Sequence, residues 1–200
     1  MKHVRIKNLE NFLLTTAMGV ALVTAAQAEQ VTYMLDASHS QIVFSYNHLG
    51  FSKTTGMFSG FEGTIVLDAE DPAASSVEVS FPVESLITGW PAREGHFLTD
   101  DFFGAEANTV VTFTSTAVEV TGENTGMITG DLTMNGITKS VVLDATMNQL
   151  ADHPMANQPW AGFDATTTLL RSDFDMGLFA PFVGDEIAIN ISIEAMVPTE

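Results

Sequence analysis

The sequence contains no cysteine among its 200 residues. That excludes disulfide staples, thiol nucleophiles and every thiolate metal centre. Fixed cations are nearly as scarce: 7 Lys and Arg stand against 25 Asp and Glu, a net charge of −18. Nucleic acid and anionic lipid surfaces are polyanions and make poor partners for such a chain. The surplus reads first as a solubility device. Catalytic signatures are missing too. There is no H-x-x-x-H or H-x-H pair, no G-x-S-x-G elbow, and no G-x-x-x-x-G-K-[ST] or G-x-G-x-x-G phosphate loop. Asp100 and Asp101 are adjacent carboxylates, and adjacent positions on a helix do not converge on one point. His153-Pro154-Met155 offers imidazole and thioether to copper, but no third ligand stands nearby. These absences predict no catalytic set and no metal site.

What is present begins with a leader. Lys2, Arg5 and Lys7 form a basic n-region, Phe12–Thr24 an apolar h-region, and Ala26-Gln27-Ala28 a small-residue cleavage site. The apolar run is short for a membrane span, which needs ~20 residues. Residues 1–28 are therefore expected to be a secretory signal peptide, and residues 29–200 one exported domain. Removing the leader takes away three cations and Glu10. Lys53, Arg93, Lys139 and Arg171 then stand against 24 acidic side chains, a net of −20.

Period-2 alternation dominates the rest. In Glu186–Val197, Ile187, Ile189, Ile191, Ile193, Ala195 and Val197 share one face, opposite Glu186, Asn190, Ser192 and Glu194. Helical spacing cannot produce that separation, so the segment is a half-buried strand. The pattern repeats at Ile42/Phe44/Tyr46, Phe61/Ile65/Leu67, Val77/Val79/Phe81, Val111/Phe113, Leu132/Met134 and Val141/Leu143/Ala145/Met147. Gly122–Gly126 and Asn135-Gly136 are hairpin signals, the second strong because both residues tolerate positive φ. Asp68–Ser76 reads as a polar connector and Asp152–Gly162 as the longest irregular stretch, a rim loop. Pro91–Phe103 breaks the alternation and predicts one short helix, with Pro91 at its start and Leu98 and Phe102 turned inward. The class is all-β: about eight antiparallel strands in a sandwich or barrel. A closed barrel of eight strands has room for one small ligand.

The first strand carries the functional question. His39–Gly56, HSQIVFSYNHLGFSKTTG, puts two histidines, a tyrosine and two phenylalanines into one stretch. His39 falls in the turn before the strand and reads as a hydrogen-bonding turn residue. His48 shares parity with Ile42, Phe44 and Tyr46. A polar ring on an apolar face needs a partner, and either a neighbouring turn or a ligand head group would serve. Phe and Met are abundant enough either to fill a core or to wall a cavity, and periodicity alone does not separate the two.

Several phrases together resemble the YceI-like, polyisoprenoid-binding family of bacterial periplasmic proteins. They are Tyr33–Tyr46, HLGFSK at His48–Lys53, GMFSGFEGTIVLD at Gly56–Asp68 and Pro72–Ser80. REGHFLTDDFF at Arg93–Phe103, GDLTMNGITK at Gly130–Lys139, RSDFDMG at Arg171–Gly177 and VGDEI at Val183–Ile187 complete the set. Gly95 and Phe97 flank His96 here, where the commoner family form has an acidic residue and Leu. The resemblance implies a lipocalin-like antiparallel barrel with an elongated apolar tunnel. It implies binding of isoprenoid chains, isoprenoid quinones or other long amphiphiles, with no catalytic residues, no metal and no required cofactor.

Combined with the alternation, it makes Phe44, Tyr46, Phe81, Phe113, Met134 and Met147 candidates for the tunnel wall. Phe97, Leu98 and Phe102 would close or line one part, and His48, Arg93 and His96 would meet the head group. So acidic a chain is a poor setting for a pyrophosphate, so the expected head is neutral or weakly polar: a quinone, an isoprenol or a fatty amide. The expected function is a non-enzymatic periplasmic carrier of a long-chain amphiphilic lipid. The alternatives are an enzyme acting on the bound chain, a quinone-carrying redox or stress-response module partnered with a membrane cytochrome and, more distantly, a copper chaperone. Transient membrane contact and a homodimer through an exposed barrel side stay open as partner readings.

Overall fold

The computed structural model describes residues 30–199; the expected leader, residues 1–28, and Glu29 lie outside the described residues. The strands are β1 (Val31–Leu35), β2 (Gln41–His48), β3 (Ser52–Phe58), β4 (Glu62–Leu67) and β5 (Ser76–Pro82). They continue as β6 (Val110–Val120), β7 (Thr125–Met134), β8 (Ile137–Asp152), β9 (Pro159–Leu170) and β10 (Glu186–Met196), with helix α1 (Pro91–Phe97) between β5 and β6. Ten strands fill eight positions. β2 pairs with β10 from Ala188 to Ser192, and β1 continues along the same edge at Ala195 and Met196. β3 and β4 lie in line against β2 and β1 in the same way. From β4 each strand pairs antiparallel with the next around to β10, and the β1–β10 pairing closes the ring. The expected eight-stranded antiparallel barrel is what the chain forms.

The hairpin signals mark real turns. Asn135 and Gly136 both take positive φ, 50° and 72°, and join β7 to β8 in two residues. Asn135 also braces its surroundings: its Nδ2 donates to the Phe174 carbonyl at 3.0 Å, and its Oδ1 accepts from Asn108 at 3.1 Å. In the Asp68–Ser76 connector, the Asp68 carboxylate accepts the backbone N–H of Glu70 and Asp71 and so starts a short 3-10 turn.

Two sequence expectations are corrected. The helix ends at Phe97, so Leu98 and Phe102 are not an i,i+4 helical pair. The chain there turns back on itself: the Thr99 hydroxyl donates to the His96 carbonyl, and Phe103 N–H donates to the Phe97 carbonyl. The irregular stretch expected over Asp152–Gly162 shrinks to residues 153–158, since β8 runs to Asp152 and β9 starts at Pro159. β9 itself escapes pattern reading because Ala161, Ala165 and Thr167 dilute Phe163 and Leu169 on its inner face, while Trp160 and Leu170 stand on the outer one.

Two β-bulges matter more to the interior. One lies between Ser115 and Ala117 in β6, the other between Met147 and Gln149 in β8. An extra residue switches which face a side chain takes. Val111 and Phe113 therefore face inward at odd numbers, and Val118 and Val120 at even ones.

The interior is divided. Beside β1–β5 rings pack against one another. Phe58 lies 5.6 Å from Phe44, 5.1 Å from Phe81 and 5.6 Å from Phe103, and Phe61 lies 5.0 Å from Phe81. Gly56 lies directly beneath the Phe44 ring, and a Cβ there would overlap it. Gly56→Ala is therefore expected to destabilise the fold by about 1–3 kcal/mol through overpacking; an unchanged urea midpoint would contradict this. Toward β6–β9, inward side chains such as Phe113, Ile128, Leu143 and Met147 lie outside that cluster and border open space.

Candidate functional site

That open space is a cavity of about 660 Å³ running the length of the barrel, inside the range of roughly 300–1,000 Å³ usual for small-molecule sites. The ten residues of β7 extend ~34 Å at the usual strand rise. A strand tilt of 35–45° leaves roughly 25 Å along the barrel axis. The middle of the wall is apolar: Phe113, Ile128, Val141, Leu143 and Ile191. None of these belongs to the packed cluster of rings, so their exposed surface faces the cavity.

The two ends differ. One end gathers the β2–β3 turn, α1 with the turns after it, the Asn135-Gly136 hairpin and the segment between β9 and β10. This is the mouth, where His48, Arg93, His96, Phe97, Phe102 and Phe179 line the opening. The far end carries the β4–β5 connector and the β6–β7 hairpin, with Pro72, Glu123 and Asn124 on the wall.

Of the twelve sequence candidates, eleven lie on the cavity wall: Phe44, Tyr46, His48, Phe81, Arg93, His96, Phe97, Phe102, Phe113, Met134 and Met147. They are not equivalent. Phe44, Tyr46 and Phe81 belong to the buried core cluster as well as to the wall, whereas Phe113 and Met147 lie outside that cluster. Leu98 does not line the cavity. It follows the end of α1 and packs against the core, because the helix on which it was expected to turn inward has already stopped.

α1 is held over the mouth from both sides. Before it, the Glu94 carboxylate accepts the N–H groups of Thr88 at 2.7 Å and Gly89 at 3.0 Å. These bonds, the Thr88 N–H above all, hold the Glu94 carboxyl below the usual range. On its inner side, Phe97 packs on Tyr46 at 6.3 Å and on Phe102 at 5.0 Å. The His96 ring stands edge-on to Phe102 at 5.1 Å, with Nε2 3.2 Å from Asp101 Oδ2.

Arg171 is a site-lining residue that the sequence does not single out. It lines the cavity near the mouth yet is only 7% exposed. Nε donates to the Gly184 carbonyl at 2.9 Å, Nη2 to Val183 at 2.9 Å, and Nη1 to Leu178 at 2.8 Å and also to Met176. One guanidinium thus fixes the whole segment between β9 and β10. Burial pulls its pKa down, while Asp185 and Tyr46 push it back up. The phrase RSDFDMG contains the residue, but nothing local in it shows that its partners are carbonyls up to 13 positions away.

His39 is where the sequence put it, in the turn between β1 and β2. Nδ1 lies 2.7 Å from Asp36 Oδ2, and that hydrogen bond raises the imidazole pKa. Asp36, His39 and Glu194 bring potential ligand atoms within 4.8 Å of one another. Each acidic group is already engaged: Asp36 accepts from Ser38, and Glu194 Oε2 accepts the Trp160 indole N–H at 2.8 Å. The group is a turn network on the outside of the barrel. His153 likewise closes its own loop, its Nδ1 accepting the N–H of Met155 and Ala156.

Comparison with known proteins agrees with this architecture. A relative from Pseudomonas savastanoi pv. phaseolicola, described as a UPF0312 protein, is 36% identical over 190 residues, 94% of this chain and 98% of the relative. The crystal structure of BcnA from Burkholderia cenocepacia shares the fold at a TM-score of 0.72 and 24% identity, covering 80% of this chain and 98% of BcnA. A polyisoprenoid binding domain from Saccharophagus degradans, implicated in plant cell wall breakdown, shares it at 0.64 and 14% identity, covering 83% and 98%. The YceI-like domain model matches residues 33–195, nearly the whole barrel, and the chain belongs to the YceI-like family.

Proposed function

We propose that this protein is a periplasmic, non-enzymatic carrier that holds the apolar chain of a long amphiphilic lipid inside the barrel. The observation that carries this reading is the cavity itself, apolar along its middle and open at a mouth lined by His48, Arg93 and His96. A mid-wall of Phe113, Ile128, Val141, Leu143 and Ile191 offers a bound chain no proton donor or acceptor, which suits storage or transfer better than chemistry. Burial stabilises a chain by ~0.8 kcal/mol per CH₂. Ten methylenes contribute about 8 kcal/mol, equivalent to a micromolar constant before ordering costs. The fold shared with a polyisoprenoid binding domain supports the same ligand class.

The head group in this reading is neutral or weakly polar: an isoprenol, an isoprenoid quinone or a fatty amide. Two fixed cations lie on the cavity wall, Arg93 and Arg171. Arg171 is committed to backbone carbonyls, and Asp101 sits against His96. That leaves Arg93 as the fixed cation for a polyanionic head, too little to match a pyrophosphate. The test is native mass spectrometry of protein released from the periplasm, followed by extraction of the bound species. A neutral isoprenoid or amide, unchanged on incubation with the protein, is the expected result. A polyprenyl pyrophosphate would overturn the head-group assignment, and chemical conversion of the extract would overturn the carrier reading.

A further inference from the structure

We propose that the rim of the mouth is a docking surface for a neutral, zwitterionic lipid bilayer, from which the cavity loads and to which it delivers. The proposal rests on the lipid-carrier reading. Among the described residues, four aromatic side chains are strongly exposed: Phe51 at 90%, Phe182 at 75%, Trp90 at 62% and Phe179 at 56%. All four sit at the mouth end. Phe51 is in the β2–β3 turn, Phe179 and Phe182 are in the segment after β9, and Trp90 immediately precedes α1. Leu49, Ile87 and Leu178 add exposed aliphatic surface on the same three segments.

These segments are tied to one another and to the barrel. Leu49 N–H donates to the Phe182 carbonyl at 3.2 Å, and Gly184 N–H donates to the Asn47 carbonyl at 2.8 Å. The Ile87 backbone bridges Met57 antiparallel, so the chain from Ile87 to Trp90 climbs beside β3 toward the β2–β3 turn. Arg171 holds the carbonyls of Leu178 and Val183 on either side of Phe179 and Phe182. A rim held this way loses little freedom on docking.

The occupant is a lipid surface because rim and cavity are continuous. Phe179 both lines the cavity and stands exposed outside it. An apolar chain leaving a bilayer at this rim would reach the cavity without crossing water. Trp and Phe are residues that settle at the membrane interface. Charge selects the kind of surface. Lys53, Arg93 and Lys139 lie at this end, but so do Asp100, Asp101, Glu106, Asp173, Asp175 and Asp185, on a chain of net charge −18 overall. Anionic headgroups would be repelled, which leaves zwitterionic ones.

The experiment uses the leaderless chain carrying Trp160→Phe, so that Trp90 is the sole tryptophan. Vesicles of phosphatidylcholine, alone or mixed with phosphatidylglycerol, are the probe. Expected are co-flotation with phosphatidylcholine, a blue shift of Trp90 emission, and weaker binding as phosphatidylglycerol is added. Phe51→Ser combined with Phe182→Ser should weaken vesicle binding at least tenfold and leave loading of the cavity with a detergent-dispersed isoprenoid quinone unchanged. Loading without vesicle binding would overturn the docking proposal alone. Vesicle binding without loading would uphold docking and count against the carrier reading. Self-association abolished by the same two substitutions, with no vesicle binding, would assign the rim to a second copy of this chain and overturn the proposal.

Discussion

Arg171→Met is expected to destabilise the protein by about 3 kcal/mol or more, since each hydrogen bond lost by a buried carbonyl costs on the order of 1 kcal/mol. Four carbonyls lose their donor: Met176, Leu178, Val183 and Gly184. Met fills the volume of the Arg stem but offers no donor, and a residue this buried leaves little room for water to substitute. For a domain of this size the loss corresponds to a fall in Tm of roughly 6–12 °C. Arg171→Lys should recover little, because an ammonium cannot reproduce a planar fork aimed at carbonyls in several directions. In Arg171→Met, Asp185, held ionised chiefly by the Ser172 hydroxyl at 2.6 Å, loses its nearby cation as well. Thermal melts of wild type, Arg171→Met and Arg171→Lys provide the check. Three coincident melts would show that the segment between β9 and β10 does not depend on this side chain. If the loss occurs, the mouth should loosen with it, since Phe179 and Val183 on that segment line the cavity.

The all-β class and most strands were legible because a side-chain period of two is written directly into residues such as Ile187, Ile189, Ile191 and Ile193; the choice of a barrel over a sandwich rested on the resemblance to the YceI-like family. Asn135-Gly136 was legible because backbone geometry at positive φ restricts which residues fit. What was not legible has three physical causes. β9 hid because Ala161, Ala165 and Thr167 dilute Phe163 and Leu169 on its inner face, while Trp160 and Leu170 on the outer face blur the alternation. The bulges in β6 and β8 change parity without any residue that announces them, so the inward set could not be followed along a whole strand. The division of the interior was also invisible. Phe44 and Phe113 look alike as inward aromatics in alternating strands, yet one is wedged between rings and the other borders open space. That difference depends on which strands face each other across the barrel. The ring of Phe51, Trp90, Phe179 and Phe182 around the mouth is likewise a product of topology, since its members come from three distant segments.

The same division decides where to place a charge to test binding. Leu143→Asp is expected to weaken binding of an isoprenoid quinone at least a hundredfold, about 2.7 kcal/mol, with little change in stability. Leu143 is on the cavity wall, mid-barrel, opposite Ile128 on the neighbouring strand, and lies outside the packed cluster. In the empty barrel the introduced carboxylate can be hydrated within the cavity, so folding is spared. A bound apolar chain expels that water and leaves the charge unpaired, a loss of several kcal/mol. Phe44→Asp would be a poorer probe. Phe44 is buried against Phe58 over Gly56, and a charge there attacks the core before it reaches any ligand. The pH dependence gives the test a sign. Ligand burial raises the pKa of the introduced carboxyl, so affinity of the Leu143→Asp protein should recover as pH falls and the group becomes neutral. Wild type should show no such recovery from this position. Isothermal titration across acidic and neutral pH, alongside urea melts, reads both effects. A folded Leu143→Asp protein that binds the quinone as tightly as wild type at neutral pH would show that the chain does not occupy this cavity.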